Sequence, residues 1–358
     1  MLSPRPRIRQ LQEYHPPLSR RTGMRLDFNE NTVGCSPRVL QRLTQITAED
    51  LARYPEREPV ETLAAQHLNL APEQVLLTNG VDEAIHLLCE AYLEAGDEVL
   101  VVAPTFSMYE IYAAATCAQV TRVQCESDFA FPLTKILCRL TPATRMIAIA
   151  SPNNPTGSVA AREQLLQIAN TAPDAAVLVD EAYYEFHGQT VLPEIDAAGN
   201  LFVARTFSKA YGLAGLRIGM LCGSRQHMPA LRRISSPYNV NAVALIALPT
   251  ALADREYVDA YAEQIKQGRE RLACELRQHG IPYWPSQANF LLVKVGAMHR
   301  EFVAAIRQRG ILLRDRSADP GCEGCVRITI GTGAQMEQLI GALREVWAET
   351  KRQAGVTT

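Results

Sequence analysis

One lysine in this sequence occupies a stretch where an ammonium group is costly to keep. Lys209 lies in RTFSKAYGLAGLRIGM, residues 205–220, among small, apolar and aromatic residues. A buried lysine loses hydration, and its pKa falls unless another group stabilises the charge. Proteins keep such lysines where an amine nucleophile is needed, for example to form an imine. The position of Lys209 therefore indicates covalent chemistry at an amine, provided that the rest of the chain supplies the other groups.

Groups that can hold a phosphate occur at two places in the chain. In LLTNGVDEAIHLL, a strand-like run ends at Asn79-Gly80 and a helical pattern starts at once. Glycine lets the backbone approach a ligand, and the free amides of a helix start can receive a phosphate. A plain strand-to-helix turn has the same pattern. Near Lys209, Ser208 adds a hydroxyl, and Arg217 adds a planar guanidinium that suits phosphate oxygens.

Polar or aromatic side chains follow three other strand-like runs. Asp180 ends AVLVD, where an acid is costly without a cationic partner, and Tyr183 comes three residues later. Tyr109 lies at a helix start after VLVVAP, and Asn154 lies in the rigid turn SPNNPTG after MIAIA. Each has a structural alternative: a helix N-cap for Asp180, core packing for Tyr109 and a simple turn for SPNNPTG. Ligands of open α/β sheets bind beyond the carboxyl ends of the strands, where these side chains fall.

Together these groups match the needs of pyridoxal 5′-phosphate. This cofactor requires an amine, a phosphate cradle, an acid that keeps the pyridine nitrogen protonated, an amide donor and an aromatic side chain over the ring. A dehydrogenase or a kinase would not use all five groups, and the sequence contains neither GxGxxG nor GxxxxGK. No metal site is predicted, because Cys322 and Cys325 form a lone CxxC.

Composition and charge exclude several classes of partner. The chain has 358 residues, of which 47% are hydrophobic and 21% charged, and its net charge is −2. This charge argues against nucleic acid or an anionic membrane as the main partner. Nine cysteines at irregular spacings indicate free thiols in a reducing compartment, and the longest apolar run, from Ala242, is too short to span a bilayer. We therefore expect a cytoplasmic protein.

Strand-like and helix-like patterns alternate from about residue 75. Most of the strand candidates are apolar throughout, as in strands covered on both faces: 75–78, 99–102, 119–123, 146–150, 176–180 and 201–205. Helical patterns between several of them indicate βαβ crossovers and a largely parallel sheet. Near residue 250 the pattern changes to a long charged amphipathic helix, followed by short strands and helices typical of a small α+β domain.

These patterns predict an α/β protein in which a large domain and a small domain pack together. The large domain, residues 35–253, has a mostly parallel sheet sandwiched by helices. The small C-terminal α+β domain comprises residues 254–358. Residues 1–34 form an N-terminal arm that packs with the small domain.

The sequence resembles the fold-type I pyridoxal-phosphate aminotransferases over nearly its whole length, and within that class II family it is most similar to the histidinol-phosphate aminotransferase branch. The segments SPNNPTG and SKAYGLAGLRIG are typical of the superfamily, whereas ILLRD followed by VRITIGT favours that branch. The resemblance also includes, in the same order as in the family, NENTVGCSP, RYPE, TNGVDEAIHLL, VDEAYYEF and SPYNVN. One departure is Thr32, which follows NEN where the family usually has proline.

The resemblance implies a role for each matching residue. It implies that Lys209 binds the cofactor covalently, that Asp180 pairs with the pyridinium nitrogen and that Tyr109 stacks on the ring. Asn154 and Tyr183 are implied partners of the ring 3-oxygen. The residues implied around the cofactor phosphate are Gly80, Val81, Thr206, Ser208 and Arg217, together with Tyr54, which is implied to reach the cofactor of a neighbouring subunit in a homodimer with shared active sites.

For the substrate, the resemblance implies that Arg327 and Arg314 bind the anionic end, with Tyr14 and Asn29 as further substrate-binding residues. Two arginines make physical sense, because a dianionic phosphate suits a second guanidinium. Arg314 could instead form an ion pair with Asp315 or another neighbour.

The implied reaction interconverts L-histidinol phosphate and 2-oxoglutarate with imidazole-acetol phosphate and L-glutamate, a step of histidine biosynthesis. Lys209 is then also the base that moves the α proton. Two alternatives use the same scaffold: an aromatic amino acid aminotransferase and a pyridoxal-phosphate-dependent decarboxylase of a phospho-amino acid such as threonine phosphate. A non-enzymatic regulator that binds the cofactor is disfavoured, because the sequence has no DNA-binding segment.

Overall fold

The computed structural model describes residues 2–11, 13 and 22–353, with side chains up to residue 349. The predicted substrate residue Tyr14 lies outside these residues. The strands of the described chain are β1 (Met24–Arg25), β2 (Val75–Thr78), β3 (Glu98–Ala103), β4 (Gln119–Gln124), β5 (Thr144–Ala150), β6 (Ala176–Asp180), β7 (Leu201–Thr206), β8 (Gly219–Cys222), β9 (Tyr283–Trp284), β10 (Phe290–Lys294), β11 (Ile311–Leu312), β12 (Arg314–Asp315) and β13 (Cys325–Thr329).

The helices cover the faces of the sheets. They are α1 (Pro6–Gln10), α2 (Pro37–Leu43), α3 (Ala48–Ala52), α4 (Glu58–His67), α5 (Gly80–Tyr92), α6 (Met108–Ala115), α7 (Leu133–Arg139), α8 (Arg162–Thr171), α9 (Tyr184–His187), α10 (Ile195–Ala198), α11 (Met228–Ile234), α12 (Ala242–Ala253), α13 (Arg255–Gln278), α14 (His299–Gln308) and α15 (Gly333–Gln353). Short 3-10 turns occur at Pro72–Gln74, Leu192–Glu194 and Ala214–Leu216. Within the described residues, no helix is both long and apolar enough to cross a bilayer.

The large sheet has seven strands in the order β2-β8-β7-β6-β5-β3-β4. Strands β3 to β7 are mutually parallel, whereas β8 runs antiparallel to both β2 and β7. Alternate residues of β6 enter different cores: Val177 and Val179 pack on one face and Leu178 on the other. A strand buried on both faces explains why its sequence is apolar without alternation. The predicted α/β fold with a mostly parallel sheet is confirmed.

The strand β8 is the element of this sheet that the sequence patterns miss. Its four residues, GMLC, follow directly on the glycine-rich loop that carries Lys209. The first residue of the strand is a glycine, Gly219, because a side chain there would collide with the backbone of α5. An added Cβ would lie 2.9 Å from the carbonyl carbon of Gly80. Close approach of β8 to the start of α5 thus brings the lysine loop beside the candidate phosphate turn.

A smaller antiparallel sheet in the order β12-β13-β10-β9 follows in the C-terminal part of the chain. Its register places Arg314 of β12 opposite Arg327 of β13. Strand β1 pairs in parallel with β11, so residues 24–25 of the predicted arm contact the predicted small domain. Helix α12 ends at Ala253 and α13 begins at Arg255. The domain boundaries themselves stay predictions.

Candidate active site

A cavity of about 310 Å³ opens at the carboxyl ends of β5, β6 and β7. This is the edge of the sheet at which ligands of open α/β folds bind. Most of the predicted cofactor residues line it, although their loops are far apart in sequence: Val81, Tyr109, Asn154, Asp180, Tyr183, Thr206, Ser208, Lys209 and Arg217.

Lys209 extends into this cavity from the loop between β7 and β8. The loop is fixed by backbone hydrogen bonds, in which Leu213 N donates to Phe207 O at 3.0 Å. Lys209 Nζ donates to the carbonyl oxygen of Phe28 at 3.2 Å. Burial and, to a smaller extent, the positive charge of Arg327 lower the pKa of Lys209 to about 8, and the negative charge of Glu30 opposes this shift. A neutral amine, able to act as nucleophile or base, is therefore accessible near neutral pH.

Asp180 is the last residue of β6 and is only 5% exposed. Its Oδ2 accepts a 2.5 Å hydrogen bond from the Tyr109 hydroxyl, and its Oδ1 accepts one from Ala182 N at 3.0 Å. Burial raises the pKa of Asp180 to about 6, although both hydrogen bonds oppose that shift. Neither donor is a cation, so a protonated ring nitrogen in the cavity would supply the positive charge that a buried carboxylate needs.

Two donors face the region between Asp180 and the small sheet. Arg327 Nη1 donates to Asn154 Oδ1 at 2.6 Å, so the amide nitrogen of Asn154 is left to donate elsewhere. The Tyr183 hydroxyl accepts from Asn29 Nδ2 at 2.9 Å, which leaves the hydroxyl hydrogen available. Both side chains line the cavity. This arrangement suits an anionic oxygen on a planar ring.

The other end of the cavity forms a cradle for an anion. Helix α5 begins at Gly80, whose φ is +75°, and an added Cβ there would lie 2.6 Å from Arg217 Nη2. Arg217 itself has a φ of +53°, an uncommon conformation for a residue with a side chain. Its Nη2 lies 3.0 Å from Asp82 Oδ2, which holds the guanidinium in place. The amides of the α5 start and the hydroxyls of Thr206 and Ser208 complete a site that fits a phosphate.

A second cavity, of about 150 Å³, adjoins the first and shares Asn154, Tyr183 and Lys209 with it. Its far wall carries the arginines Arg314, Arg316 and Arg327. Arg327 is buried, and its Nη2 donates to Asp27 O at 2.6 Å. This wall is strongly cationic and suits the anionic end of a substrate.

The alternative that Arg314 pairs with Asp315 does not describe this structure. Asp315 Oδ2 lies 2.8 Å from His299 Nδ1, and the Arg314 guanidinium lies 5.5 Å from the centre of the Phe28 ring. Arg314 thus lines the second cavity beside an aromatic ring.

The first cavity is not lined by the predicted residues Asn29, Gly80 and Tyr54. Asn29 lines the second cavity, but its side chain is engaged within the protein, donating to Tyr183 and accepting from Thr329 Oγ1 at 3.0 Å. Gly80 is covered by the Arg217 side chain, since a Cβ added at Gly80 would lie 2.6 Å from Arg217 Nη2. Tyr54 is 77% exposed and stacks on Tyr238 with ring centres 4.3 Å apart. The roles assigned to these residues stay predictions.

Sequence reasoning missed several residues of the two cavities: Phe28, Glu30, Asp82, Phe106 and Arg316. A signal existed for Arg316, because it follows Arg314 by two positions and extended chains place such residues on one side. Asp82 falls in the first turn of α5, where an acid is also expected for reasons of helix stability. Among the described residues, no group of three or more His, Cys, Asp or Glu could hold a metal ion.

Comparison with known proteins agrees with this geometry. Residues 21–343 match the family described as aminotransferase class I and II. The chain is 34% identical over 330 residues to histidinol-phosphate aminotransferase 1 of Bacillus cereus, covering 90% of this chain and 88% of that protein. It is 36% identical over 330 residues to the histidinol-phosphate aminotransferase of Methanococcoides burtonii, covering 90% of each. The solved structure of histidinol-phosphate aminotransferase from Sinorhizobium meliloti in complex with pyridoxal-5′-phosphate superposes with a TM-score of 0.87 at 27% identity, over 96% of this chain and 97% of that one.

Proposed function

Because the chain belongs to the class I and II aminotransferases, we propose that it transfers the amino group of L-histidinol phosphate to 2-oxoglutarate with pyridoxal 5′-phosphate as cofactor. The observation that carries this proposal is the junction of two cavities at Lys209. One cavity has a phosphate cradle and a buried acid, and the other has a wall of arginines. An aminotransferase for phosphorylated substrates needs both.

When bound, pyridoxal phosphate supplies an aldehyde that joins to amines and a pyridinium ring that withdraws electrons. Lys209 is the residue placed to hold that aldehyde carbon, because its Nζ enters the cavity and its pKa of about 8 keeps part of the amine neutral. The same Nζ, when neutral and not joined to the cofactor, would be the base that takes the proton from the substrate Cα and the acid that returns it.

Three residues fix the ring and its charge. Asp180 would keep the proton on the ring nitrogen, since its buried carboxylate is stabilised by a cation close to it. Asn154 and Tyr183 would donate to the ring oxygen; Asn154 is oriented by Arg327 and Tyr183 by Asn29. Tyr109 lies against the cavity with its ring buried and its hydroxyl on Asp180.

The anionic end of each substrate binds at the arginine wall. Arg314 and Arg327 lie opposite each other on neighbouring strands, so both guanidinium groups converge on the second cavity. The phosphate of histidinol phosphate and a carboxylate of glutamate or 2-oxoglutarate both suit such donors. One site thereby serves both halves of the reaction.

We further propose a cytoplasmic homodimer with shared sites, in which Tyr54 reaches the cofactor phosphate of the other subunit. Tyr54 lies outside both cavities of its own chain, with 77% of its surface exposed beside the half-exposed ring of Tyr238. Further large apolar side chains are exposed in the same part of the sequence, namely Val33, Leu40, Leu51 and Leu63. Exposed apolar surface of this kind supports association with a second copy.

The proposal is tested by incubating the purified holoenzyme with 2-oxoglutarate and one amino donor at a time. We expect glutamate to form with L-histidinol phosphate, and to be absent with the Lys209→Ala variant. Parallel assays use L-phenylalanine and O-phospho-L-threonine. Faster glutamate formation from phenylalanine would replace the proposal by an aromatic aminotransferase. Release of carbon dioxide from O-phospho-L-threonine, without glutamate, would replace it by a decarboxylase.

A further inference from the structure

We propose that Arg316 is a specificity-determining residue, which makes the arginine wall selective for a dianionic phosphate ester over a monoanionic or uncharged group. This inference rests on the proposed function, because it takes the second cavity as the site of the substrate's anionic end. It adds a third guanidinium to the two implied by the family resemblance.

The backbone of Arg316 is fixed at the rim of the small sheet. Arg316 N donates to the carbonyl oxygen of Cys325 at 3.0 Å, so the pairing of β12 with β13 continues one residue beyond Asp315. Arg314 and Arg316 are separated by two positions along this extended segment. Both therefore project to one side of it, and both line the second cavity.

The side chain of Arg316 is held by Asp319. The two form an ion pair in which the arginine side chain is 15% exposed and the aspartate side chain 25% exposed. A turn closes this segment, since Asp319 N donates to Arg316 O at 2.9 Å. Burial raises the pKa of Asp319, and the charges of Arg316, Arg327 and Arg314 oppose that shift. Asp319 therefore reduces the repulsion among the three arginines and pre-orients one of them.

A phosphate ester and a carboxylate differ in charge and in the number of oxygens that can accept hydrogen bonds from arginine. A carboxylate carries one negative charge, whereas a phosphate ester carries about −1.5 to −2 at neutral pH and offers three acceptor oxygens. Arg327 already commits a hydrogen bond from each terminal nitrogen to the protein, to Asn154 Oδ1 and to Asp27 O. Arg316 also forms an ion pair with Asp319, and the remaining N–H groups of its guanidinium supply donors that the three oxygens of a phosphate can use and that a carboxylate does not need.

The test compares Arg316→Gln with Arg307→Gln in the holoenzyme. Arg307 is an exposed arginine on α14, so its substitution makes the same change in net charge away from the cavity. Calorimetric titration gives the dissociation constants of L-histidinol phosphate and of L-histidinol, which lacks the phosphate. We expect Arg316→Gln to weaken histidinol phosphate roughly tenfold or more and histidinol by less than about twofold, since a charge-assisted hydrogen bond is lost only in the first case. Arg307→Gln should change neither.

A second variant and a second probe keep the inference independent of folding and of the proposed reaction. Arg316→Lys retains the charge but loses the planar fork, and we expect an intermediate loss of affinity for histidinol phosphate. Inorganic phosphate serves as a probe that needs no amine, and its binding should weaken in Arg316→Gln as well. If the wild-type enzyme binds histidinol phosphate but forms no glutamate, the proposed function is wrong while the specificity of Arg316 still holds. Equal losses for histidinol and histidinol phosphate, or no loss for either, would overturn the inference.

Discussion

The hydroxyl of Tyr109 donates a 2.5 Å hydrogen bond to Asp180 Oδ2, between residues 71 positions apart in the chain. Asp180 is the buried acid at the end of β6, and Tyr109 lies in the first turn of α6. The hydrogen bond lowers the pKa of Asp180, which burial raises. Tyr109 thus helps to keep Asp180 ionised, in addition to contacting the ring as its predicted role requires.

We predict that Tyr109→Phe weakens cofactor binding although the ring is retained. Loss of a hydrogen bond to a charged group amounts to about 1.5–3 kcal/mol, or roughly tenfold or more in the dissociation constant. The loss should grow as the pH falls toward 6, because Asp180 then takes up a proton more readily. Equilibrium titration of the cofactor-free protein with pyridoxal phosphate at pH 6 and pH 8 measures both effects.

The matched control for Tyr109 is Tyr112→Phe on the same helix. Tyr112 is half-buried and stacks on His86 with ring centres 5.0 Å apart, and it lines neither of the two active-site cavities. If the two variants lose cofactor affinity equally, the hydrogen bond to Asp180 has no particular role.

A second prediction concerns the pH dependence of the cofactor-free protein. The pKa of Lys209 is lowered to about 8 in the folded chain from an ordinary value near 10.5. Between these values the unfolded chain binds more protons, so the free energy of unfolding should rise as the pH increases from about 8 to 10.5. The expected gain is about 1–3 kcal/mol. Urea denaturation of wild type and Lys209→Met across this range isolates the effect, because the gain should appear in the difference between the two curves, whereas buried cysteines that titrate in the same range contribute equally to both. Parallel pH curves for the two proteins would contradict the shifted pKa.

Much of the fold could be predicted from the sequence because local patterns determine it. The runs 75–78 and 176–180 match β2 and β6 residue for residue, since apolar β-branched stretches bounded by turns leave little choice of limits. Strand β8 was missed because it is short, contains a glycine and pairs with strands distant in sequence. Strand pairing of that kind depends on tertiary contacts rather than on local propensity.

The candidate site, like the fold, could be predicted from the sequence only in part. Residue types and their positions after strands predicted seven of the nine cofactor residues that line the first cavity, and the family resemblance added Val81 and Thr206. Spacing alone does not reveal partners such as Arg327 on Asn154, because 173 residues separate them. It also does not reveal that Asp319 forms an ion pair with Arg316 beside the second cavity.

A third prediction concerns the proposed exchange of Tyr54 between subunits. Tyr54→Ala should weaken cofactor binding, and Lys209→Ala should abolish amino transfer. At a pyridoxal phosphate concentration too low to saturate Tyr54→Ala, mixing the two variants under conditions of subunit exchange should raise activity above the sum of the two alone, because each mixed dimer then contains one site with Lys209 from one chain and Tyr54 from the other. Glutamate formation after mixing, compared with each variant alone, is the measurement. No recovery in verified mixed dimers would place Tyr54 outside the other subunit's site.

A fourth prediction concerns Arg314, which lies at the second cavity beside the Phe28 ring. Arg314→Leu should lower kcat/KM for histidinol phosphate at least about tenfold more than for glutamate, since a dianion loses more when one guanidinium is removed. Steady-state kinetics of each half-reaction measure the two values. Asp315→Asn is the control, because Asp315 lies next to Arg314 in β12 but its carboxylate interacts with His299. Equal losses for both substrates would contradict a role in phosphate binding.

The fifth prediction uses two glycines with the same backbone strain and different surroundings. Gly80 and Gly188 have φ values of +75° and +85°; an added Cβ would lie 2.6 Å from Arg217 Nη2 at the first and would meet nothing within 4 Å at the second. Each substitution by alanine should lower the free energy of unfolding by about 1 kcal/mol, because a positive φ is unfavourable for a residue with a side chain. Gly80→Ala should in addition displace the Arg217 guanidinium from the anion cradle and weaken the binding of pyridoxal phosphate more than that of pyridoxal, which lacks the phosphate. Denaturation curves and cofactor titrations of both variants separate the two effects. A Gly80→Ala protein that binds pyridoxal phosphate as tightly as Gly188→Ala would show that the start of α5 does not hold the phosphate.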